Sequence, residues 1–178
     1  MKMNTSVTDL VQASTGHYAP RVVRESFGAA AAIAGEVGAP FVYWHTGAGQ
    51  TGWLVLAVAK SGFLIETRAS GDLDNWTCDD CERGSDSQGW VKPEHVDCTT
   101  SLIPLADVAR IEVREAKGFS PDVRSSGSER YVRATHVLVL RDGREITVPY
   151  VEPQLYDYAN ETAGRFVETV VRGVADAQ

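Results

Sequence analysis

Three cysteines and one histidine form two closely spaced pairs, as the ligands of a metal site often do. Two residues lie between Cys78 and Cys81, and two lie between His95 and Cys98, so the pattern is C-x2-C followed by H-x2-C. Thirteen residues separate the two pairs. Each pair can wrap a short turn around one ion, and zinc takes four such ligands in a tetrahedron. Four protein ligands leave no position for water, so the pattern predicts a structural Zn²⁺ site and not a catalytic one. The set uses every cysteine in the chain.

Other interpretations of the cysteines remain open. A disulfide is possible in an exported protein, but three cysteines leave one unpaired and no signal sequence is present. A redox Cys-x-x-Cys motif normally opens a helix in a βαβ context, which the surrounding sequence lacks. The alternative function is a zinc-dependent hydrolase with an open metal position and Glu94 or Asp97 as its base.

The cysteines lie in the most acidic part of the chain. The stretch from Asp72 to Cys98 contains eight acidic and two basic residues, so its net charge is −6. The remainder of the chain has a net charge of −1. The acidity favours cation capture and argues against a nucleic-acid-binding zinc finger. Residues 84–89 of this stretch are all glycine or polar residues, so they cannot be stabilised by the burial of apolar side chains. We therefore expect residues 71–99 to form an inserted, acidic zinc-binding lobe.

Composition excludes several classes of protein. The chain has 178 residues, a formal net charge of −7 and 43% hydrophobic residues, which indicates one globular domain. An acidic chain is a poor ligand for nucleic acid or an anionic membrane surface. No signal peptide or spanning segment is present, so we expect a cytoplasmic protein. Four lysines against thirteen arginines indicate a GC-rich genome, of bacterial or phage origin.

The remaining pattern predicts helices, then strands, then a helix. Ser6 with Asp9 is typical of a capping arrangement, and Pro20 is typical of the first turn of a second helix that ends near Gly35 or Gly38. We therefore expect residues 1–39 to form an N-terminal helical segment. Apolar residues from Leu155 to Val170 recur at helical spacing. Between them we expect seven strands: Phe41–Thr46, Trp53–Ala59, Phe63–Arg68, Ser101–Leu105, Val108–Arg114, Tyr131–Leu140 and Glu145–Val151.

This order resembles the pleckstrin-homology-like (PH-like) superfamily, in particular its bacterial members. The resemblance lies in the hairpin Trp53–Arg68 and in the segments Ser101–Val113 and Val137–Val148, and it covers about residues 40–176. It implies an α+β fold, with a bent seven-stranded antiparallel sheet or barrel and a long C-terminal helix. Lipid-binding members carry clustered basic residues near the first hairpin. Residues 41–59 contain none, so phosphoinositide binding is not expected.

No catalytic constellation accompanies this fold. Gly47–Gly52 fits G-x-G-x-x-G, but a strand follows it where a dinucleotide site requires a helix. His17, His45 and His136 have no nearby nucleophile or carboxylate pattern that implies a triad. We therefore predict a non-enzymatic interaction domain that binds a protein partner through loops or a sheet edge, with the polar loop 117–130 and the zinc lobe as the first candidates. Neither nucleic acid nor a membrane is expected as a partner.

Overall fold

The computed structural model describes residues 21–47, 50–72, 96–119, 131–149 and 157–177. These residues form a mixed α+β structure with two helices and two antiparallel sheets. None of the described helices is long and apolar enough to cross a membrane. In chain order, the elements are α1 (Arg21–Ala34), β1 (Phe41–Gly47), β2 (Gln50–Val58), β3 (Phe63–Asp72), β4 (Val96–Pro104), β5 (Val108–Phe119), β6 (Tyr131–Leu140), β7 (Glu145–Val148) and α2 (Asp157–Asp176), with a 3-10 turn at Leu105–Asp107 between β4 and β5.

The first sheet has the strand order β1-β2-β3-β4, so each strand pairs with its neighbour in sequence. Ser61 and Gly62 connect β2 to β3, and Gly62 has a φ of +85° that favours glycine. The Ala59 amide donates to the Phe63 carbonyl at 2.8 Å and closes this hairpin. The predicted turn between β2 and β3 is thereby confirmed.

The continuous apolar run of β2 is explained by burial on both faces of the first sheet. Trp53, Val55 and Ala57 pack in the cluster that contains α1, whereas Leu56 and Val58 pack in the cluster that contains the second sheet. Alternate side chains of a strand point to opposite faces, so a strand buried on both faces needs apolar residues throughout.

Helix α1 covers one face of the first sheet with small side chains. Val23, Phe27, Ala30, Ala31 and Ala34 are buried there, and the alanines permit close approach to the sheet. The predicted helix is confirmed, and it ends at Ala34, next to the first of the two expected positions, Gly35 and Gly38. The predicted helix around Ser6 lies outside the described residues.

The second sheet, β5-β6-β7, covers the other face of the first sheet together with α2. Phe41 of β1 stacks on Phe166 of α2, with ring centroids 6.1 Å apart, and Val170 is fully buried. Asp142 and Gly143 form the β6–β7 turn, where Gly143 has a φ of +87°. The layers are therefore α1, the first sheet, and the second sheet with α2.

All seven predicted strands are present, but some of their ends differ. Strand β4 begins at Val96 and not at Ser101, so the residues around Cys98 belong to the sheet. Strand β5 continues to Phe119, so residues 117–119 are strand and not part of the predicted loop. Strand β7 stops at Val148, three residues earlier than expected.

Candidate functional site

Cys98 is the one predicted zinc ligand that lies among the described residues. It belongs to β4, pairs with Ala69 of β3, and faces α1. Its Sγ lies 3.5 Å from Ser26 Oγ and 3.9 Å from the Val22 carbonyl oxygen. Cys78, Cys81 and His95 lie outside the described residues, so the four-ligand set stays a prediction.

The surroundings of Cys98 favour its neutral thiol over the thiolate that binds a metal. Burial raises the pKa of the Cys98 thiol, and the hydrogen bond with Ser26 opposes that rise. In the structure the Cys98 thiol donates to Ser26 Oγ. The Ser26 hydroxyl would donate instead to a thiolate, and groups beside a metal ligand support it in this way. Within the described part of the chain, no three His, Cys, Asp or Glu side chains are grouped so that they could hold a metal ion.

Asp97 lies on the opposite face of β4 from Cys98. Successive residues of a strand alternate between faces, and Asp97 is exposed beside Ser70 of β3 while Cys98 faces α1. A general base must reach the water it deprotonates within hydrogen-bond distance or through one bridging water. Asp97 is therefore poorly placed to act on an ion held by Cys98, and Glu94 lies outside the described residues.

The side chains on Asp97's face form a second candidate site at the end of the first sheet. Two rows of paired residues cross it, one through Tyr43, Leu54, Arg68 and Thr99 and one through His45, Gly52, Ser70 and Asp97. Most of these side chains are exposed to solvent. We call this surface the open face and define it by six residues: Tyr43, His45, Arg68, Ser70, Asp97 and Thr99.

The imidazole of His45 lies directly over Gly52 on the open face. The two residues are paired across β1 and β2, and a Cβ at position 52 would collide with Cε1 of the imidazole. The His45 ring also stacks on Tyr43, with centroids 5.7 Å apart and planes inclined by 20°. The absence of a side chain at Gly52 therefore leaves the space that the His45 ring occupies, which gives one glycine of the G-x-G-x-x-G sequence a packing role.

A buried carboxylate holds Arg68 in place. Glu66 Oε1 lies 2.6 Å from Arg68 Nε, and the side chain of Glu66 is 7% exposed whereas that of Arg68 is 55% exposed. Asp142 holds the pKa of Arg144 above its ordinary value, and the charge of Glu66 adds to that effect. The carboxylate of Glu66 therefore interacts with the guanidinium groups of both Arg68 and Arg144, and the charged group of Arg68 is exposed at the open face.

On the second sheet, a row of ion pairs lies on the face directed away from the core. Glu112 accepts from Arg110 at 2.6 Å and from Arg114 at 2.7 Å, and Arg114 also donates to Glu145 at 2.6 Å. These contacts lower the pKa values of both carboxyls and raise that of Arg114. We call Arg110, Glu112, Arg114 and Glu145 the ion ladder.

The remaining described histidine, His136, lies at the inner face of β6 opposite Val113 and Val148. Its Nδ1 is buried and makes no hydrogen bond to the residues that the structure describes. Burial lowers the pKa of His136, against a smaller opposing effect of the Ala134 backbone. The geometry is that of a packed side chain.

Two of these features are missing from the sequence prediction. The alternation Arg110-Glu112-Arg114 was a visible signal for the ion ladder, since residues two apart share a face of a strand. The open face has a weaker signal, because Ser70, Asp97 and Thr99 come from parts of β3 and β4 whose polarity favours a loop.

No family model, curated protein or solved structure matches this chain. Function is therefore inferred from the arrangement of these residues.

Proposed function

We propose that the chain is a non-enzymatic protein-interaction domain of PH-like architecture, with a structural zinc that joins an inserted lobe to β4. Because β3 ends at Asp72 and β4 begins at Val96, the proposed lobe is restricted to residues 73–95. The architecture is supported by the order of its elements: four antiparallel strands, then three, then a helix that packs into the core. The resemblance inferred for residues 40–176 implies the same order.

The position of Cys98 supports the zinc site. Because Cys98 is fixed in β4 between Ala69 and α1, a metal bound to it would connect the lobe directly to the sheet. The Cys98 thiol donates to Ser26 Oγ, and the same hydroxyl would donate to the sulfur once a metal had displaced the thiol proton. Zinc with Cys78, Cys81, His95 and Cys98 as ligands would supply a cross-link and no activated water.

The open face is the observation that carries the interaction proposal. It combines a cation held by Glu66, an anion at Asp97 and a stacked aromatic pair. All of its side chains except the half-buried Tyr43 are exposed, and Ser70 and Asp97 lie near the ends of β3 and β4 that border residues 73–95. Mixed charge with aromatic groups suits a protein surface. It does not suit a phosphoinositide headgroup, which calls for several uncompensated cations.

A substitution on the open face tests this proposal. Ser70→Arg introduces a long charged side chain opposite Asp97, where it can be accommodated at an exposed strand position. Thr147→Arg makes a similar change at an exposed position of β7 in the second sheet and serves as the control. Both variants and the wild-type chain are used to capture proteins from cells of the source organism, followed by quantitative mass spectrometry.

We expect a protein captured by the wild-type chain and by Thr147→Arg to be lost with Ser70→Arg. Purified partner and chain should then show at least a tenfold weaker affinity for Ser70→Arg in calorimetry, as expected when a bulky group is placed within an interface. Equal affinity for all three chains would refute the open face as the binding surface.

A further inference from the structure

The second sheet ends at β5, whose outer edge pairs with no strand in the part of the chain that the structure describes. The sheet order is β5-β6-β7, and β5 is twelve residues long. Val113 on this strand is 63% exposed, one of three large apolar side chains that are exposed among the described residues. An unpaired edge that carries an exposed apolar side chain is a template for the addition of another strand.

Two irregularities restrict the regular part of this edge to Arg110–Val113. The pairing of β5 with β6 shifts register between Val108 and Arg110, and again between Val113 and Ala116, where Glu115 has a φ of +52°. Bulges of this kind bend a strand and interrupt further pairing. An added strand can therefore pair over a short segment only.

When two copies of this segment lie antiparallel, the charges of Arg110 and Glu112 in one copy are complementary to those in the other. We propose that β5 pairs antiparallel with β5 of a second copy of the chain, about a two-fold axis at Ile111. In this register, Arg110 of each copy lies opposite Glu112 of the other, and the two Ile111 side chains face each other. Opposite charges and apolar residues in directly opposed positions both stabilise a strand pair.

Neighbouring registers are less favourable. If the second copy is shifted by two residues, so that Ile111 pairs with Val113, Glu112 lies opposite Glu112 and Arg110 lies opposite Arg114. Like charges in opposed positions are destabilising. A shift by one residue exchanges the two faces of the added strand, so its Ile111 lies on the same face as the charged residues of the first copy. A register that pairs Glu112 with Arg114 extends across the irregularity after Val113.

The proposed pairing also covers Val113. In the two-fold register, Val113 lies diagonal to the Ile111 of the other copy, within reach of a branched side chain. The two three-stranded sheets become one six-stranded sheet, and the two-fold axis closes the assembly at a dimer. Because the paired segment is short, the interface is small and the dimer dissociates readily.

Sedimentation velocity of the full chain over a wide concentration range tests the proposal. We expect a monomer at about 1 µM and a shift towards a dimer by about 500 µM, as for a small interface. Arg110→Glu places acidic side chains opposite each other at both symmetry-related positions, so dimerisation should weaken by about tenfold or more. Arg172→Glu, the same change of charge on an exposed position of α2, should leave it unchanged.

The charge-swapped double variant Arg110→Glu with Glu112→Arg separates pairing from a loss of folding. It restores opposite charges across the axis, so its dimer affinity should return to within about threefold of wild type. Circular dichroism of each variant establishes that the fold is retained. A photo-crosslinking amino acid at position 113 should attach to β5 of the other copy.

A chain that stays monomeric throughout this range would overturn the proposal and leave the β5 edge to a different partner. So would a dimer that is insensitive to Arg110→Glu, or crosslinks from position 113 to a different element. A double variant that folds but is as monomeric as Arg110→Glu would refute the register.

Discussion

Val55 in the first sheet and Val137 in the second are both buried, but different neighbours cover them. Val55 is fully buried in the cluster that joins the first sheet to α1. Val137 is 1% exposed on the outer face of the second sheet, where it shares that face with the ion ladder. This face of the first sheet is thus covered by apolar side chains of α1, whereas the outer face of the second sheet carries the long charged side chains of the ion ladder.

This difference has a consequence for stability. Side chains enclosed on all sides by a packed core relax little when a neighbour is removed, so truncation there leaves a cavity. Long, partly exposed side chains can move to fill or hydrate a small gap. The first sheet should therefore be sensitive to changes of volume, and the outer face of the second sheet to pH and salt.

The largest effect is expected for Phe27→Ala in α1. Phe27 is 1% exposed and packs against the first sheet, so its truncation should lower the free energy of unfolding by about 3–5 kcal/mol. Urea denaturation measures this. A loss below about 1 kcal/mol would show that α1 is a dispensable layer, because exposed substitutions have effects of that size.

A matched pair of valine substitutions compares the two sheets directly. Val55→Ala should cost about 2–3 kcal/mol, the sum of lost burial and a cavity. Val137→Ala removes the same atoms, but should cost about 1 kcal/mol because the long, partly exposed side chains on that face can adjust. Denaturation in urea of both variants tests the difference. Equal losses would mean that the ion ladder packs as rigidly as α1.

The smallest effect is expected for Glu145→Gln. The folded-state pKa values of Glu112 and Glu145 are lowered, so their contribution is present above the ordinary carboxyl pKa of about 4.3 and is lost as pH falls through the lowered values. The variant should have a lower Tm than wild type at pH 7 in low salt, and the same Tm at about pH 2. High salt should also reduce the difference.

Glu168→Gln is the control for that measurement. Its partner Arg172 is 3.8 Å away on the surface of α2, outside any ladder of charges. Its change in Tm at pH 7 should be smaller than that of Glu145→Gln. A Tm difference for Glu145→Gln that persists at low pH would contradict an ionic cause.

The strands could be predicted from sequence to the extent that burial produced a clear pattern. The unbroken apolar run Trp53–Ala59 and the Asp142-Gly143 turn identified β2 and the β6–β7 hairpin because each has one physical explanation. The first five residues of β4 were missed because Asp97, Thr99 and Thr100 are polar. Their place in the sheet depends on pairing with β3, which one-dimensional periodicity does not contain.

The candidate sites were less accessible to sequence reasoning for a similar reason. Arg110, Glu112 and Arg114 are neighbours along one strand, but Glu145 joins them only because β5, β6 and β7 lie side by side. The open face likewise unites Tyr43 and Asp97, which are distant in sequence. For Cys98, sequence indicated a ligand, and the fold adds its anchoring in β4 against α1.

Metal content of the full chain, purified without added metal, tests the central claim most directly. Elemental analysis should give about one zinc per chain. Cys98→Ser and His95→Asn should reduce it strongly, whereas His45→Asn, which alters a histidine of the open face outside the predicted ligand set, should not. A folded wild-type chain that contains no zinc and has Cys78 in a disulfide would contradict the account.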